Sequence, residues 1–209
     1  MELARSLSNY KVLETGTLNN KCLVLFSSNG LYYPNNFEQL DMVIKKDKFE
    51  WGNIHPVEYE KIIFIRDVYK QWYLAGINNE INSVDKLTFF LSTQIKNYDS
   101  TFVGSSAGGY ASVLYGCLCK ADKIISFSGQ FNLYSEMPNI NNEILHLNES
   151  EIYLDVNRFI NRNIYYFCPI HSDIDKAQLD FVESNEFVKI IRVKSKKHGL
   201  PIFPFAVKK

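Results

Sequence analysis

The sequence predicts an α/β fold, a three-layer sandwich in which a mostly parallel central sheet carries helices on both faces. Two observations predict it. Short apolar runs are uninterrupted rather than alternating, as expected for strands covered on both faces of a parallel sheet. Segments with helical spacing separate these runs, and such alternation is typical of open α/β sheets. The predicted strands are residues 22–26, 62–65, 101–103, 123–127, 164–167 and 188–193.

The helices are predicted from apolar residues that recur every three or four positions. The residues that mark the two clearest helices are Val84, Leu87, Leu91 and Ile95 in one, and Ile174, Ala177 and Phe181 in the other. Residues 10–14, YKVLE, predict an antiparallel strand at the edge of the sheet.

The chain has 209 residues, which suits one domain with a sizeable apolar core. No repeat or linker divides it, so we predict a single domain over residues 1–209. Residues 129–163 are polar, rich in asparagine and longer than a crossover needs. Two interpretations stand: a lid or substrate wall, or a surface excursion with a helix or two.

Charge argues against a nucleic-acid partner. Lys plus Arg number 23 and Asp plus Glu number 23, so the formal charge is zero, whereas nucleic-acid binders carry a basic excess on one face. The first residues lack the apolar stretch of a secretory signal, and no segment is long enough to span a bilayer. We therefore expect a cytoplasmic protein with no transmembrane segment.

The cysteines are predicted to be buried, reduced thiols. Cys22 and Cys168 lie in apolar runs that predict strands, whereas Cys117 and Cys119 lie in a predicted helix. Neither arrangement has metal-ligand spacing, which favours a packing role.

A candidate nucleophile lies in residues 101–109, TFVGSSAGG. This segment contains G-x-S-x-G as Gly104, Ser106 and Gly108, directly after a predicted strand and before a helix-forming run. That context is the one in which a nucleophile elbow forms, because the chain must reverse within about one residue and expose the serine hydroxyl. The alternative is a tight turn whose serines only cap a helix. The chain lacks a P-loop and a G-x-G-x-x-G motif, so no cofactor is predicted.

A serine hydroxyl needs a base, and His198 is the histidine in the right place for one. It follows the last predicted strand, and Gly199 permits a sharp loop there. His55 precedes the second core strand and His146 lies in the insertion, so neither suits the role. The alternative is a surface histidine in a basic loop.

The acid that orients the base is predicted to be Asp175, with Asp173 as the alternate. Both follow the fifth core strand, in CPIHSDIDKAQ. The alternative is that one of them only caps the helix that begins there. His171 with these two aspartates resembles a metal-ligand pattern, but no second cluster accompanies it, so no metal is predicted.

Two main-chain N–H groups are needed to hold an oxyanion. Ala107, next after the nucleophile, is predicted to supply one. The other is predicted from Ser27 or Ser28, in the FSSNG loop after the first core strand. The HGGG form of this loop, known from lipases, is absent.

Taken together, GSSAGGYAS, FIRDVYKQWYLAG, SDIDKAQ and KKHGLP resemble segments of small bacterial α/β-hydrolases, some of them associated with surface-polysaccharide loci. The resemblance covers most of the chain in order, and its specific parts are the elbow and the histidine segment. It implies an α/β-hydrolase fold, an esterase-like activity and a Ser-Asp-His triad.

The resemblance also implies a substrate-binding edge. Arg66 and Asp67 follow the second core strand, and Trp72 and Tyr73 lie close by, where aromatic rings stack on a sugar. The alternative is an ion pair with core aromatics. Two departures stand out: LPIFPFAV takes the place of the usual C-terminal helix, and Cys168 and Pro169 replace a glycine in the acid loop.

The function expected from these residues is that of a serine hydrolase that cleaves a small acyl ester through an acyl-enzyme. Its partner is then a small-molecule or saccharide ester, and the resemblance suggests O-acetyl on a saccharide. One alternative is an O-acyltransferase that uses the same triad with acetyl-CoA as co-substrate. Another is a non-catalytic partner protein that keeps the hydrolase fold as a scaffold.

Overall fold

The computed structural model describes residues 2–139 and 151–199. Part of the predicted insertion and the whole LPIFPFAV segment, residues 200–207, lie outside these residues. The strands are β1 (Tyr10–Glu14), β2 (Lys21–Phe26), β3 (Lys61–Ile65), β4 (Asp99–Ser105), β5 (Lys123–Phe127), β6 (Ile164–Pro169) and β7 (Val188–Val193). The helices are α1 (Glu2–Ser6), α2 (Phe37–Lys45), α3 (Val84–Gln94), α4 (Ala107–Leu118) and α5 (Asp173–Leu179).

The strands form one sheet in the order β1-β3-β2-β4-β5-β6-β7. Every neighbouring pair is parallel except β1 with β3, which is antiparallel. The mostly parallel sheet and the antiparallel edge strand over residues 10–14 are therefore confirmed. In the register of β2 with β4, Phe26 pairs with Gly104, so the two strands end side by side.

Both faces of the sheet carry apolar side chains, which explains the uninterrupted apolar runs. In β2, Cys22, Val24 and Phe26 join the larger core cluster, whereas Leu23 and Leu25 face a smaller one on the other side. The predicted burial of Cys22, Cys117 and Cys168 is confirmed, while Cys119 is half-buried, and all four are free thiols. Burial raises the pKa of Cys117 to about 11, consistent with a packing role.

The smaller cluster is covered by the segment between α2 and β3 rather than by a long helix. Phe49 and Trp51 are buried there against Leu25 and Phe64. The Trp51 indole Nε1–H donates to the main-chain oxygen of Phe26 at 2.8 Å, which ties this segment to the end of β2.

The described parts of the insertion pack on the helices beside the sheet. Phe131 accepts the N–H of Val156 at 3.0 Å, and the Tyr110 hydroxyl on α4 donates to the carbonyl of Tyr153. Gln178 on α5 accepts the N–H of Phe131 at 2.8 Å. Within residues 2–139 and 151–199, no helix is long and apolar enough to cross a bilayer.

Candidate active site

The turn from β4 into α4 consists of one residue, Ser106. Its φ of 51° and ψ of −120° lie outside the regions that ordinary residues occupy, which is the strained geometry of a nucleophile elbow. The Ser106 N–H donates to the carbonyl of Phe127 at 2.9 Å, and its own carbonyl accepts the N–H of Tyr110 at 3.0 Å. The side chain makes no helix-capping hydrogen bond. The alternative of a serine that only caps the helix therefore does not describe Ser106.

The two glycines of the motif are needed because main-chain atoms approach them closely. A Cβ on Gly104 would lie 2.0 Å from the carbonyl oxygen of Gly108. A Cβ on Gly108 would lie 2.3 Å from the carbonyl oxygen of Phe26. Both distances are far below van der Waals contact, so side chains at these positions would push α4 away from β4 and β2.

His198 reaches the serine from the loop after β7. Its Nε2 lies 2.8 Å from the Ser106 Oγ. Gly199, with φ of 76°, turns the loop, and its N–H donates to the Ser128 Oγ at 3.2 Å. The loop is thereby anchored to the residue that follows β5.

Asp175 contacts the other side of the imidazole. Its Oδ1 and Oδ2 lie 3.0 and 3.1 Å from His198 Nδ1, and the residue is 1% exposed. Asp173 is exposed on the first turn of α5, and the helix N-cap is Ser172 rather than either aspartate. The structure therefore brings Asp175, and not Asp173, to the imidazole.

Cys168, which departs from the glycine expected near the acid, contacts the main chain of Asp175. Its thiol donates to the main-chain oxygen of Asp175 at 3.6 Å, and burial raises its pKa to about 11. The strand continues through Pro169, which pairs with Val193. Cys168 and Pro169 therefore belong to β6 rather than to the acid loop, where the sequence predicted them.

On the opposite side of Ser106, the N–H of Ala107 has no acceptor among the described residues, as expected at the start of a helix. The second donor was predicted to be the main-chain N–H of Ser27 or Ser28. The Ser27 N–H donates to the carbonyl of Ile65 at 2.9 Å, and the Ser28 N–H donates to the carboxylate of Glu50. Both N–H groups predicted as the second donor therefore have acceptors within this structure.

The next main-chain N–H along the loop belongs to Asn29. Ser28 is extended, with φ of −79° and ψ of 167°, and its carbonyl accepts the Leu31 N–H at 3.2 Å. The Ser27 carbonyl oxygen faces α4, since it lies 3.0 Å from the Cβ position of Gly108. The Asn29 N–H belongs to the next peptide group and has no acceptor in the part of the chain that the structure describes.

The predicted substrate-binding edge lies inside the protein. Arg66 is 1% exposed, and its guanidinium donates to Asn9 Oδ1 and to the carbonyl of Lys48, both at 3.0 Å. Tyr73 is fully buried, and Trp72 is 6% exposed. These side chains are not accessible for stacking on a sugar, so the alternative of an ion pair with core aromatics describes them. The ion pair of Arg66 is with Asp47, whose Oδ1 lies 3.1 Å from the guanidinium Nη1, and not with Asp67.

Asp67 organises that loop from within. Its carboxylate accepts four main-chain N–H groups, from Tyr69, Lys70, Gln71 and Tyr73, at 2.7 to 3.1 Å. Burial raises its pKa to about 6, and these hydrogen bonds oppose part of that rise. The Tyr73 hydroxyl in turn donates to the carbonyl of Ser27 at 2.7 Å, which joins this loop to the end of β2.

The site lies where ligands bind in open α/β sheets. The chain leaves β2 toward β3 on one side and leaves β4 toward β5 on the other, so a crevice opens between the carboxyl ends of β2 and β4. Ser106 stands at that crevice. A mostly parallel sheet with an antiparallel edge and a serine elbow after β4 defines an α/β-hydrolase fold.

Comparisons with solved structures agree with this class. The capsule O-acetyltransferase of Neisseria meningitidis serogroup A has a TM-score of 0.62 at 16% identity, over 91% of this chain and 85% of that chain. The fluorophosphonate-binding serine hydrolase F of Staphylococcus aureus has a TM-score of 0.54 at 13% identity, over 88% of this chain and 89% of that chain.

A third neighbour is acetyl xylan esterase 1 of Thermoanaerobacterium sp. JW/SL YS485, with a TM-score of 0.50 at 13% identity, over 94% of this chain and 77% of that chain. At these identities the likeness establishes the shared fold. No protein-family model matches the sequence, and no curated protein matches it significantly.

Proposed function

We propose that this protein is an enzyme that transfers a small acyl group from an ester through Ser106, with His198 as base and Asp175 as its orienting acid. One observation carries the proposal: a single imidazole lies 2.8 Å from a strained, elbow-borne serine hydroxyl and 3.0 Å from a buried carboxylate. This is the arrangement that activates a serine for nucleophilic attack.

The chemistry follows from the two sides of the imidazole. In the neutral tautomer that carries its proton on Nδ1, His198 donates to Asp175, and Nε2 accepts the proton of the Ser106 hydroxyl as Oγ attacks the acyl carbon. The imidazolium then gives this proton to the departing alkoxide. Asp175 stabilises the imidazolium without itself becoming protonated.

The negative charge on the tetrahedral oxygen needs donors that are already in place. The Ala107 N–H at the start of α4 supplies one, helped by the positive end of that helix. We assign the second to the Asn29 N–H, since the Ser27 and Ser28 N–H groups are engaged elsewhere. Water resolves the acyl-enzyme, and the same imidazole removes its proton.

For the substrate, we propose an O-acetyl ester of a saccharide. Two of the neighbours are named for acetyl chemistry on polysaccharides, a capsule O-acetyltransferase and an acetyl xylan esterase. The second candidate function is O-acetyl transfer from acetyl-CoA, and it is favoured by a structure of that capsule enzyme in complex with CoA. Hydrolysis and transfer use the same serine and differ in whether water or a sugar hydroxyl accepts the acyl group.

Labelling with a fluorophosphonate probe tests the serine chemistry. We expect the wild-type protein to be labelled on the peptide containing Ser106, and Ser106→Ala to remain unlabelled. Ser105→Ala is the matched control, since Ser105 is the neighbouring serine, ends β4 and is buried, whereas the imidazole contacts Ser106. A wild-type protein that stays unlabelled while Ser106 is intact would favour a non-catalytic scaffold.

A product analysis separates hydrolysis from transfer. The protein is incubated with acetyl-CoA in the presence and absence of oligosaccharides, and the sugars are weighed by mass spectrometry. An added acetyl group on the sugar indicates transfer, whereas free acetate alone indicates hydrolysis. Incubation with an O-acetylated xylan oligosaccharide tests the proposed esterase reaction, in which the sugar loses its acetyl group and free acetate appears.

A further inference from the structure

The segment between α2 and β3 passes over the carboxyl end of β2 and is held there at two points. Phe49 and Trp51 are buried in the smaller cluster, and the Trp51 Nε1–H donates to the Phe26 carbonyl at 2.8 Å. Glu50 stands between these anchors. Because its neighbours are fixed, its side chain is directed at the loop that follows β2.

Glu50 closes a ring of hydrogen bonds with that loop. Its Oε2 accepts the Ser28 N–H, and its Oε1 accepts the Ser28 hydroxyl at 2.8 Å. Its own N–H donates to the Ser27 Oγ at 3.2 Å. A carboxylate has two acceptor oxygens, so it can take both donors of Ser28 at once.

The Ser27–Ser28 peptide group is therefore fixed at both of its ends. Its N–H is bound by Glu50 on one side, and its carbonyl accepts the Tyr73 hydroxyl at 2.7 Å on the other. A peptide group held in this way cannot rotate. The next peptide group, which carries the Asn29 N–H, is held through the Ser28 carbonyl, which accepts the Leu31 N–H at 3.2 Å. The Ser27 carbonyl lies 3.0 Å from the Cβ position of Gly108, so this loop borders the first turn of the helix that begins after Ser106.

We propose that Glu50 is a positioning residue of the acyl-transfer site, which holds the Ser28 peptide so that the Asn29 N–H is presented to the oxyanion. The proposal rests on the proposed function. Glu50 does not touch the substrate; it acts through Ser28. Its loss lets the peptide group turn, and the oxyanion donor then leaves its place although Ser106, His198 and Asp175 are unchanged.

Glu50→Gln tests this directly, because the amide keeps one acceptor oxygen but replaces the other with a donor. The matched control is Glu60→Gln. Glu60 also binds main-chain N–H groups with its carboxylate, those of Asn19 and Asn20 at 2.9 Å, but it does so at the amino end of the sheet. Both variants weaken a carboxylate that holds a loop, and only one of these loops borders Ser106.

The measurements are kcat and KM for p-nitrophenyl acetate, with thermal unfolding as the check on folding. For Glu50→Gln we expect kcat to fall about 10- to 100-fold while KM changes less than about twofold, since a displaced donor acts on the transition state. Glu50→Asp, which keeps both oxygens, should recover part of this loss. Glu60→Gln should retain the wild-type kcat.

The proposal is overturned if folded Glu50→Gln keeps a kcat within about twofold of wild type, or if both glutamine variants lose kcat equally. Should Glu50→Gln fail to fold, Ser28→Ala removes the hydroxyl half of the same contact and must lower kcat in the same way. Failure of the proposed function has a different signature, in which wild type and Ser106→Ala hydrolyse the ester at the same rate.

Discussion

The carbonyl oxygen of Phe26 lies where a side chain on Gly108 would have to go, 2.3 Å from the position of its Cβ. β2 and the first turn of α4 therefore meet main chain to main chain. This contact brings the loop after β2 close to the first turn of α4, so the glycines that allow the tight turn at Ser106 also determine where that loop lies.

Gly108→Ala is expected to destabilise the fold by about 3 kcal/mol or more, because the clash is with main-chain atoms that cannot move independently. The measurement is the free energy of unfolding in urea. Gly16→Ala is the control: Gly16 has φ of 83° but nothing within 4 Å of its Cβ position, so only the backbone cost of about 1 to 2 kcal/mol applies. Equal costs at the two positions would show that the contact with Phe26 does not matter.

The two aspartates of α5 are expected to differ sharply. Asp175→Asn should lower kcat about 10³- to 10⁴-fold, because the amide favours the wrong imidazole tautomer. Asp173→Asn, which alters an exposed carboxylate on the same helix, should leave kcat near the wild-type value. Steady-state hydrolysis of p-nitrophenyl acetate measures both. A comparable loss in the two variants would reject Asp175 as the orienting acid.

Removing the Asn29 N–H should lower kcat about 100-fold, the usual effect of losing one oxyanion donor. Asn29→Pro removes this N–H together with the amide side chain, and the extended conformation of Ser28 suits a residue that precedes proline. Asn29→Ala retains the N–H and should stay close to wild type. If the proline variant keeps the wild-type kcat, a group other than the Asn29 N–H is the second oxyanion donor.

Asp67 predicts a specific dependence of stability on pH. Its pKa is raised to about 6 in the folded protein, so the proton binds more tightly to the folded than to the unfolded chain. The stability gained from this proton is complete below about pH 4 and is lost as the pH rises through about 6.

Asp67→Asn cannot titrate, so the free energy of unfolding of wild type minus that of the variant should rise by about 2 to 3 kcal/mol between pH 7 and pH 4. Urea unfolding at a series of pH values measures this difference. A difference that does not change with pH would contradict the raised pKa.

The sheet was largely predictable because its strands are covered on both faces. β5 and β7 have the predicted bounds, and β6 runs two residues further than its apolar core, to Pro169. Helix α2 was not predicted, although Phe37, Leu40, Val43 and Ile44 recur at helical spacing, and among its residues only Val43 is buried. Chain order alone placed the serine, the histidine and the candidate acids at one edge of the sheet.

The local sequence does not determine the direction in which a side chain or a main-chain N–H group of a loop points. Trp72 and Tyr73 follow β3 as expected, but φ values of 51° and 63° turn the chain so that both side chains enter the core. Which of Ser27, Ser28 and Asn29 has an N–H free to serve as the proposed second oxyanion donor depends on how the Ser27–Ser28 peptide group is oriented. That rotation is set by Glu50 and Tyr73, which lie more than twenty and more than forty positions away along the chain.

The Ser106–His198 contact joins residues 92 positions apart, and it crosses the sheet from β4 to the loop beyond β7. A partly assembled sheet that lacks its last strand carries the hydroxyl without its base. The hydroxyl therefore meets its base only once β7 has docked, and the rate at which a renaturing sample regains reactivity reports the docking of β7 rather than the collapse of the core.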